Sequence, residues 1–426
     1  ASARARPPCA CAPPGTSCMT SGRSPMIQLL SPPAPSARAW GAQAIGVCAA
    51  RADEWPKLDP APAAHCVVRI HSRSTSAGES DGTNCSEVGD WGEWLGAHAP
   101  PLEVRPWDAG RFTMIAKIQD APRNHGRVWR MLDASDGSEV AVKEMPNSWV
   151  CDTHDAFVAE HPRETEQPWL DVACLATLQR EHFPYACSFR GVFRDRQATR
   201  VVTRYAPEGD LYSWCMASGD FVAPGPAREH LARPLVAQIA DAVRWLHDMS
   251  IVHGDVSMEN ILVTRRADGD LHIQVIDFGS AAISRFASRV SGKVAYQAPE
   301  IFSRVEYDGF LSDNFAVGVV MFCVLLSGFP WESTDTATPC PAFEHLRQQG
   351  FDAFIHARRL PCGRVASECL SFGAADLLEG LLAVEPSARF TLAEAVWHVA
   401  ENPRPSVWDL EWLQSCGAAL AHNGPD

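Results

Sequence analysis

No stretch of eighteen consecutive apolar residues occurs in this 426-residue chain, so no helix is expected to span a membrane. The longest apolar run, F-A-V-G-V-V-M-F-C-V-L-L from Phe315, is too short for that and reads as a buried helix. Basic charge is also scarce. Against 51 Asp and Glu stand 37 Lys and Arg, a formal net charge of −14, which argues against a broad basic surface and against a nucleic-acid partner. Metal-site spacing of cysteines is missing too. The fifteen cysteines are scattered, and the C-x-C of Cys9 and Cys11 has no second pair near it. Free thiols in a reducing compartment are expected, with the cytoplasm as the expected location. Residues 1–52 contain arginines but no aspartate, glutamate or lysine. That composition suits an organelle transit peptide, yet eight prolines among the first 35 residues oppose an amphipathic helix. Residues 1–110 are therefore expected to form a disordered, low-complexity extension, with organelle targeting as the other reading.

Pattern begins near Arg111. F-T-M-I-A-K-I and G-R-V-W-R-M-L read as strands, and a D-A-S-D-G-S turn leads into E-V-A-V-K-E-M, which predicts a hairpin. C-V-V-R-I at Cys66 also reads as a strand, but no partner is visible. In L-D-V-A-C-L-A-T-L-Q, Val172, Leu175 and Leu178 recur every three residues behind Pro168, which predicts a helix opening at that proline. Two further strands follow, C-S-F-R-G-V-F and A-T-R-V-V-T-R-Y. Beyond Gly209 helices dominate, and Val236, Ile239, Val243 and Leu246 form one stripe. Strands first and helices after predict an α+β chain with two lobes, the small one β-rich and the larger one helical. Residues 403–426 are expected to be a tail.

Several short motifs carry chemistry. A-V-K ends a strand at Lys143; V-H-G-D-V-S-M-E-N spans Val252 to Asn260; D-F-G begins at Asp277, seventeen residues beyond Asn260; Y-Q-A-P-E ends at Glu300; and Arg389 lies in E-P-S-A-R-F-T. A lysine and a carboxylate at strand ends suit phosphates and the cation that bridges them. In this order and spacing the motifs resemble the eukaryotic-type protein kinase family, over residues 111–402. The resemblance implies a two-lobed kinase fold divided near residue 206, ATP and Mg2+ as cofactors, and a protein substrate, and it leaves the oligomeric state open. Lys143 would contact the α and β phosphates. Asp255 would orient the substrate hydroxyl and take its proton, while Asn260 and Asp277 would hold metal. Gly126, Val128 and Ala141 would line the nucleotide site, Thr203 would be the gatekeeper, and the backbone of Arg204 and Ala206 would meet the adenine edge. His253, Phe278, Gly279, the Glu300–Arg389 pair and Asp313 would be structural, with Phe315 where the family has tryptophan.

The departures are as informative. Ala121 and Arg123 stand where the first two glycines of the family's phosphate loop should be, so Arg123 either compensates with charge or blocks the site. The partner of Lys143 is Asp171 in the preferred alignment and Glu166 in the other. Gly254 replaces the arginine of H-R-D, which implies weak or absent control by an activation-loop phosphate. Ser257 replaces the catalytic-loop lysine, while Lys293 stands in G-K-V-A-Y where the family has threonine. An exchange is expected, with Lys293 reaching the γ-phosphate and Ser257 supplying the small hydroxyl. No arginine stands two or four residues beyond Asp255, unlike in tyrosine kinases. An active Ser/Thr kinase is therefore the expectation, with a non-transferring pseudokinase as the alternative.

Overall fold

The computed structural model describes residues 66–68, 102–217, 223–303, 305–398 and 404–420. Of the extension expected over 1–110, all but Cys66–Val68 and the stretch from Leu102 lies outside the described residues. The strands of the first lobe are β1 (Cys66–Val68), β2 (Leu102–Pro106), β3 (Phe112–Ala121), β4 (Gly126–Asp133), β5 (Ser138–Pro146), β6 (Phe189–Arg194) and β7 (Ala198–Arg204). They form one sheet in the order β1-β2-β6-β7-β5-β4-β3. The sheet thus reaches back past Arg111. Leu102 and Val104 of β2 are buried, β2 pairs in parallel with β6, and Cys66–Val68 finds its partner in β2. Each such buried aliphatic side chain contributes about 1.5–3 kcal/mol.

The expected hairpin is β4–β5. Asp133 opposes Ser138 across the turn, and Gly137 takes the positive φ of 71° that the D-G step supplies. Beneath the sheet Phe112, Met131, Val140, Val142, Phe193 and Val202 pack together, with Trp107 stacked on Phe112 at 4.6 Å. Asp133, fully buried, accepts both Nε and Nη2 of Arg111 at 2.8 and 2.7 Å, and that hydrogen-bonded pairing holds its carboxyl far below the usual range. The rough alternation in β3 does not become a buried face. This edge strand carries register shifts at Met114/Ala116 and Lys117/Gln119, and Met114, Ile115 and Ile118 are exposed.

Two short helices, α1 (Asn147–Val150) and α2 (His154–Glu160), lead to α3 (Pro168–Arg180), which begins at the proline that suits a first helical turn. Its residues are buried from Pro168 to Leu178, so the helix is enclosed rather than amphipathic. The second lobe holds α4 (Leu211–Ala217), α5 (Pro226–Asp248), the β8–β9 hairpin (Ile261–Arg265 and Leu271–Val275), the short pair β10–β11 (Phe286–Ala287 and Tyr307–Asp308), α6 (Gly309–Leu326), α7 (Pro341–Ala357), α8 (Phe372–Leu381), α9 (Ala395–His398) and α10 (Glu411–Leu420). The α5 stripe of Val236, Ile239, Val243 and Leu246 is buried as its period predicts. By length and composition α6 is apolar enough to cross a membrane, but its window is 94% buried inside the fold. Residues 407–413 also join the core: Val407, Trp412 and Leu413 are buried, and Trp412 Nε1 donates to Glu229 at 3.3 Å.

α6 carries one charge into this core. Asp313 accepts the backbone N–H groups of His253 and Gly254 at 2.7 and 3.0 Å, so the V-H-G-D loop hangs from the helix. His247, on the last turn of α5, bridges Asp313 at 3.2 Å and Glu394 at 2.9 Å. Burial alone would favour the neutral ring. The hydrogen bonds to the two carboxylates outweigh it and raise the imidazolium pKa from 6.5 to about 9. A raised pKa stabilises the fold fully below 6.5 and loses that contribution as pH climbs through 9. The shift corresponds to about 3 kcal/mol. His247→Gln is expected to lower stability by about that amount near pH 6, and denaturant melts should show the gap from wild type narrowing as pH approaches 9.5.

Candidate active site

The cleft between the lobes is built around two ammonium groups. Lys143 stands on β5 opposite Val128 of β4 and Val201 of β7. Its Nζ lies 3.2 Å from Asp171, 3.2 Å from Asp277 and 3.9 Å from Glu166. Both acids weighed as its partner therefore reach it, one from the first turn of α3 and one from just before that helix. Asp171 also accepts Phe278 N–H at 3.0 Å, so a single carboxylate positions the lysine and the D-F-G turn. Burial penalises the Lys143 charge, but Asp277, Asp171 and Glu166 outweigh it and hold the ammonium above its ordinary range. Burial pushes the carboxyls of Asp171 and Glu166 up against the pull of Lys143, whereas for Asp277 the lysine wins and the pKa falls. Asp277 adopts φ 66°, a left-handed conformation uncommon for aspartate. Phe278 is fully buried with its ring 5.1 Å from that of His253, and Gly279 has no room for a Cβ, which would sit 2.7 Å from Glu166 Cγ.

The second ammonium is Lys293. Its Nζ donates to Ser257 Oγ at 2.7 Å and to Asp255 Oδ2 at 3.2 Å, and its backbone N–H donates to Asp255 Oδ1 at 2.8 Å. Asn260 Nδ2 donates to the Asp255 backbone oxygen at 2.8 Å and to its carboxylate at 3.0 Å. Asp255, Ser257 and Asn260 are all buried. Asn260 and Lys293 thus converge on the Asp255 carboxylate, and Ser257 meets it through the Lys293 ammonium.

Around the would-be nucleotide, Ala141 of β5 pairs with Thr203 of β7, and Ala206 is buried just beyond β7. The Arg204 N–H is already donated to Ser188 O at 2.9 Å, so only its carbonyl remains to meet an adenine edge. Gly126 opens β4 where a Cβ would lie 2.1 Å from Glu144 O, so no larger residue fits. In place of the missing glycines Pro122–Asn124 form one 3-10 turn, capped by His125 at φ 54°. Arg123 Nη1 lies 3.8 Å from Asp255 Oδ2, and the buried Asn124 amide donates to Glu166. The Asn124–Glu166 contact was not foreseen. Its only signal in the sequence was an acid just ahead of α3.

The segment from Asp277 to Glu300 packs directly on the V-H-G-D loop. Gly254, at φ 72°, faces Ser280 O, 2.5 Å from where a Cβ would be. Arg285 pairs with Asp308 at 2.6 Å, and Arg289 Nη2 donates to Thr165 O at 2.7 Å. Glu300 binds Arg389 in a two-point pair at 2.5 and 3.0 Å, and the fully buried Arg389 also donates to Leu311 O and covers the Phe315 ring at 4.9 Å. Phe315 thus keeps the aromatic contact at the tryptophan position.

A two-lobed fold with an ammonium among carboxylates, an Asp–Asn pair and a D-F-G turn is the architecture of the protein kinase class. The protein kinase domain family matches residues 124–399, and the chain belongs to that family. It is similar to serine/threonine-protein kinase SBK1 of Danio rerio, 32% identical over 206 residues, covering 46% of this chain and 49% of the relative. CBL-interacting protein kinase 4 of Oryza sativa subsp. japonica is 31% identical over 237 residues, half of each chain, and serine/threonine-protein kinase GIN4 of Saccharomyces cerevisiae 28% over 317 residues, 73% of this chain and 25% of the relative. The chain spans about half or less of the length of these relatives.

Lys143→Met would leave three carboxylates facing one another. It is expected to cost about 3–5 kcal/mol of stability near neutral pH. Since burial has already raised Asp171 and Glu166, their protonation on acidification should shrink the deficit, as followed by denaturant melts from pH 8 to 5.

Proposed function

We propose that this protein is an ATP-dependent serine/threonine kinase that moves the γ-phosphate to a hydroxyl of a protein substrate. The observation that carries this reading is the convergence of Lys143, Asp171, Asp255, Asn260 and Asp277 in one cleft. Lys143 neutralises the α and β phosphates, and Asp171 holds it in place. The adenine lies against Val128, Ala141 and Thr203, with the Arg204 carbonyl and Ala206 backbone at its edge. A threonine at 203 leaves more room behind the nucleotide than a methionine would. Asp255 orients the incoming hydroxyl and accepts its proton.

The donor set suits Mg2+. Asp277 offers a carboxylate kept ionised by Lys143. Asn260 spends its amide N–H on Asp255, which leaves the amide oxygen as a ligand. The bound ion would neutralise charge on the β and γ phosphates. The family and its Ser/Thr relatives support the acceptor class.

One observation favours a second reading, a pseudokinase that binds nucleotide without transfer. Arg123 and Asn124 fold the phosphate loop toward Asp255 and Glu166. A γ-labelled ATP assay with a generic protein substrate separates the two. Wild type should transfer label and Asp255→Asn should lose at least about 100-fold in kcat while still binding Mg-ATP. Wild type that binds Mg-ATP and transfers nothing would leave the pseudokinase.

A further inference from the structure

We propose that the activation segment itself supplies the phosphate-facing charge of this site, through Lys293, and that Gly254 and Ser257 are the changes that let it in, beside Gly292, which the family shares. The inference rests on the kinase reading above and concerns how that one site is completed.

Three observations carry it. The Lys293 ammonium does not hang into solvent. It is fixed by Ser257 Oγ at 2.7 Å and Asp255 Oδ2 at 3.2 Å, with its own backbone N–H on the other Asp255 oxygen. Next, the two chains meet glycine to glycine. Gly254 and Gly292 have φ of 72° and 84°, and a Cβ on Gly292 would lie 2.8 Å from Gly254 O and 3.4 Å from Asp255 Oδ1. A side chain on Gly292 would meet the main chain of the catalytic loop, and one on Gly254 would meet Ser280 O at 2.5 Å, so the close approach that seats Lys293 needs both glycines. Finally, Ser257 is completely buried beneath the ammonium, so a lysine there would set two like charges on one carboxylate. Gln297 Nε2 holds the approaching strand, donating to Ser291 O at 2.9 Å and Gly292 O at 3.1 Å.

In the transfer step the substrate hydroxyl oxygen bonds to the γ-phosphorus and the bond from phosphorus to the diphosphate oxygen breaks. The hydroxyl proton passes to Asp255, and the nucleoside diphosphate leaves. Lys293 donates to the γ-phosphoryl oxygens, where charge develops. Because this cation rides on the activation segment, docking of the segment and completion of the site are one event. The two odd residues of the catalytic loop and the odd lysine beyond it form one unit, not three unrelated losses.

The test compares wild type with Lys293→Ala, Ser257→Lys and the double variant Ser257→Lys/Lys293→Thr, with thermal melts and Mg-ATP binding as controls for folding. Lys293→Ala should lower kcat at least about 100-fold while the KM for ATP stays within about threefold. Ser257→Lys alone should also be impaired. The double variant, with the charge back on the catalytic loop, should recover at least about a tenth of wild-type kcat. A folded Lys293→Ala with kcat near wild type would overturn the proposal, as would a folded double variant no better than Lys293→Ala. If wild type binds Mg-ATP and transfers nothing, the kinase reading falls and this proposal falls with it. If wild type is active and Lys293→Ala matches it, only the proposal falls.

Discussion

Everything at the cleft is referred to one carboxylate inside the helical lobe. Asp313 sits on a helix with almost no polar company, where an uncompensated charge would be very costly. It is compensated from two sides, by the His247 imidazolium and by the backbone N–H groups of His253 and Gly254. The second set matters for chemistry. Two consecutive peptide groups are pinned immediately before Asp255, which limits where that side chain points. Glu394 closes the network and Arg389 anchors the end of the activation segment to the same helix through Leu311 O. Loop, segment and core thus share a frame made mostly of ionic hydrogen bonds to backbone.

The cleft is a balance of charges rather than a set of independent groups. Lys143 answers to three acids, and Lys293 to one acid and a hydroxyl. In a site of low dielectric, such groups hold each other in geometry without much help from packing. The phosphate loop follows the same logic. Where glycines would offer bare backbone to phosphate, this chain presents a guanidinium beside Asp255 and an amide on Glu166. A nucleotide entering this cleft would have to exchange these protein contacts for its own.

Much of this was legible from residues alone. The β4–β5 hairpin followed from a D-G turn between alternating runs, α5 from its stripe at Val236 to Leu246, and α3 from Pro168. The order of the short motifs was enough to draw the kinase likeness, and Asp171 was found by aligning an apolar pattern. What stayed hidden was what periodicity cannot express. β2 is five residues long and pairs in parallel with a strand some ninety positions away, so neither a turn nor a long alternation marks it. Residues 403–426 looked like a tail because Trp412 and Leu413 are buried by α5 and α8, not by their neighbours in sequence. Alternation in β3 misled because an edge strand with irregular register has no consistent inner face. Gly254 read only as the loss of an arginine because a sequence shows the side chain that is gone and not the backbone that fills its space.

That occupied space has a consequence for how such a site changes over generations. The room left at position 254 is filled by Ser280 O and Ser291 Oγ, and the backbone there has a conformation that side chains resist. An arginine at 254 would need those neighbours to move first, since its Cβ alone would meet Ser280 O at 2.5 Å. The arrangement behaves as a ratchet. A single substitution at 254 therefore finds its space already held by main chain.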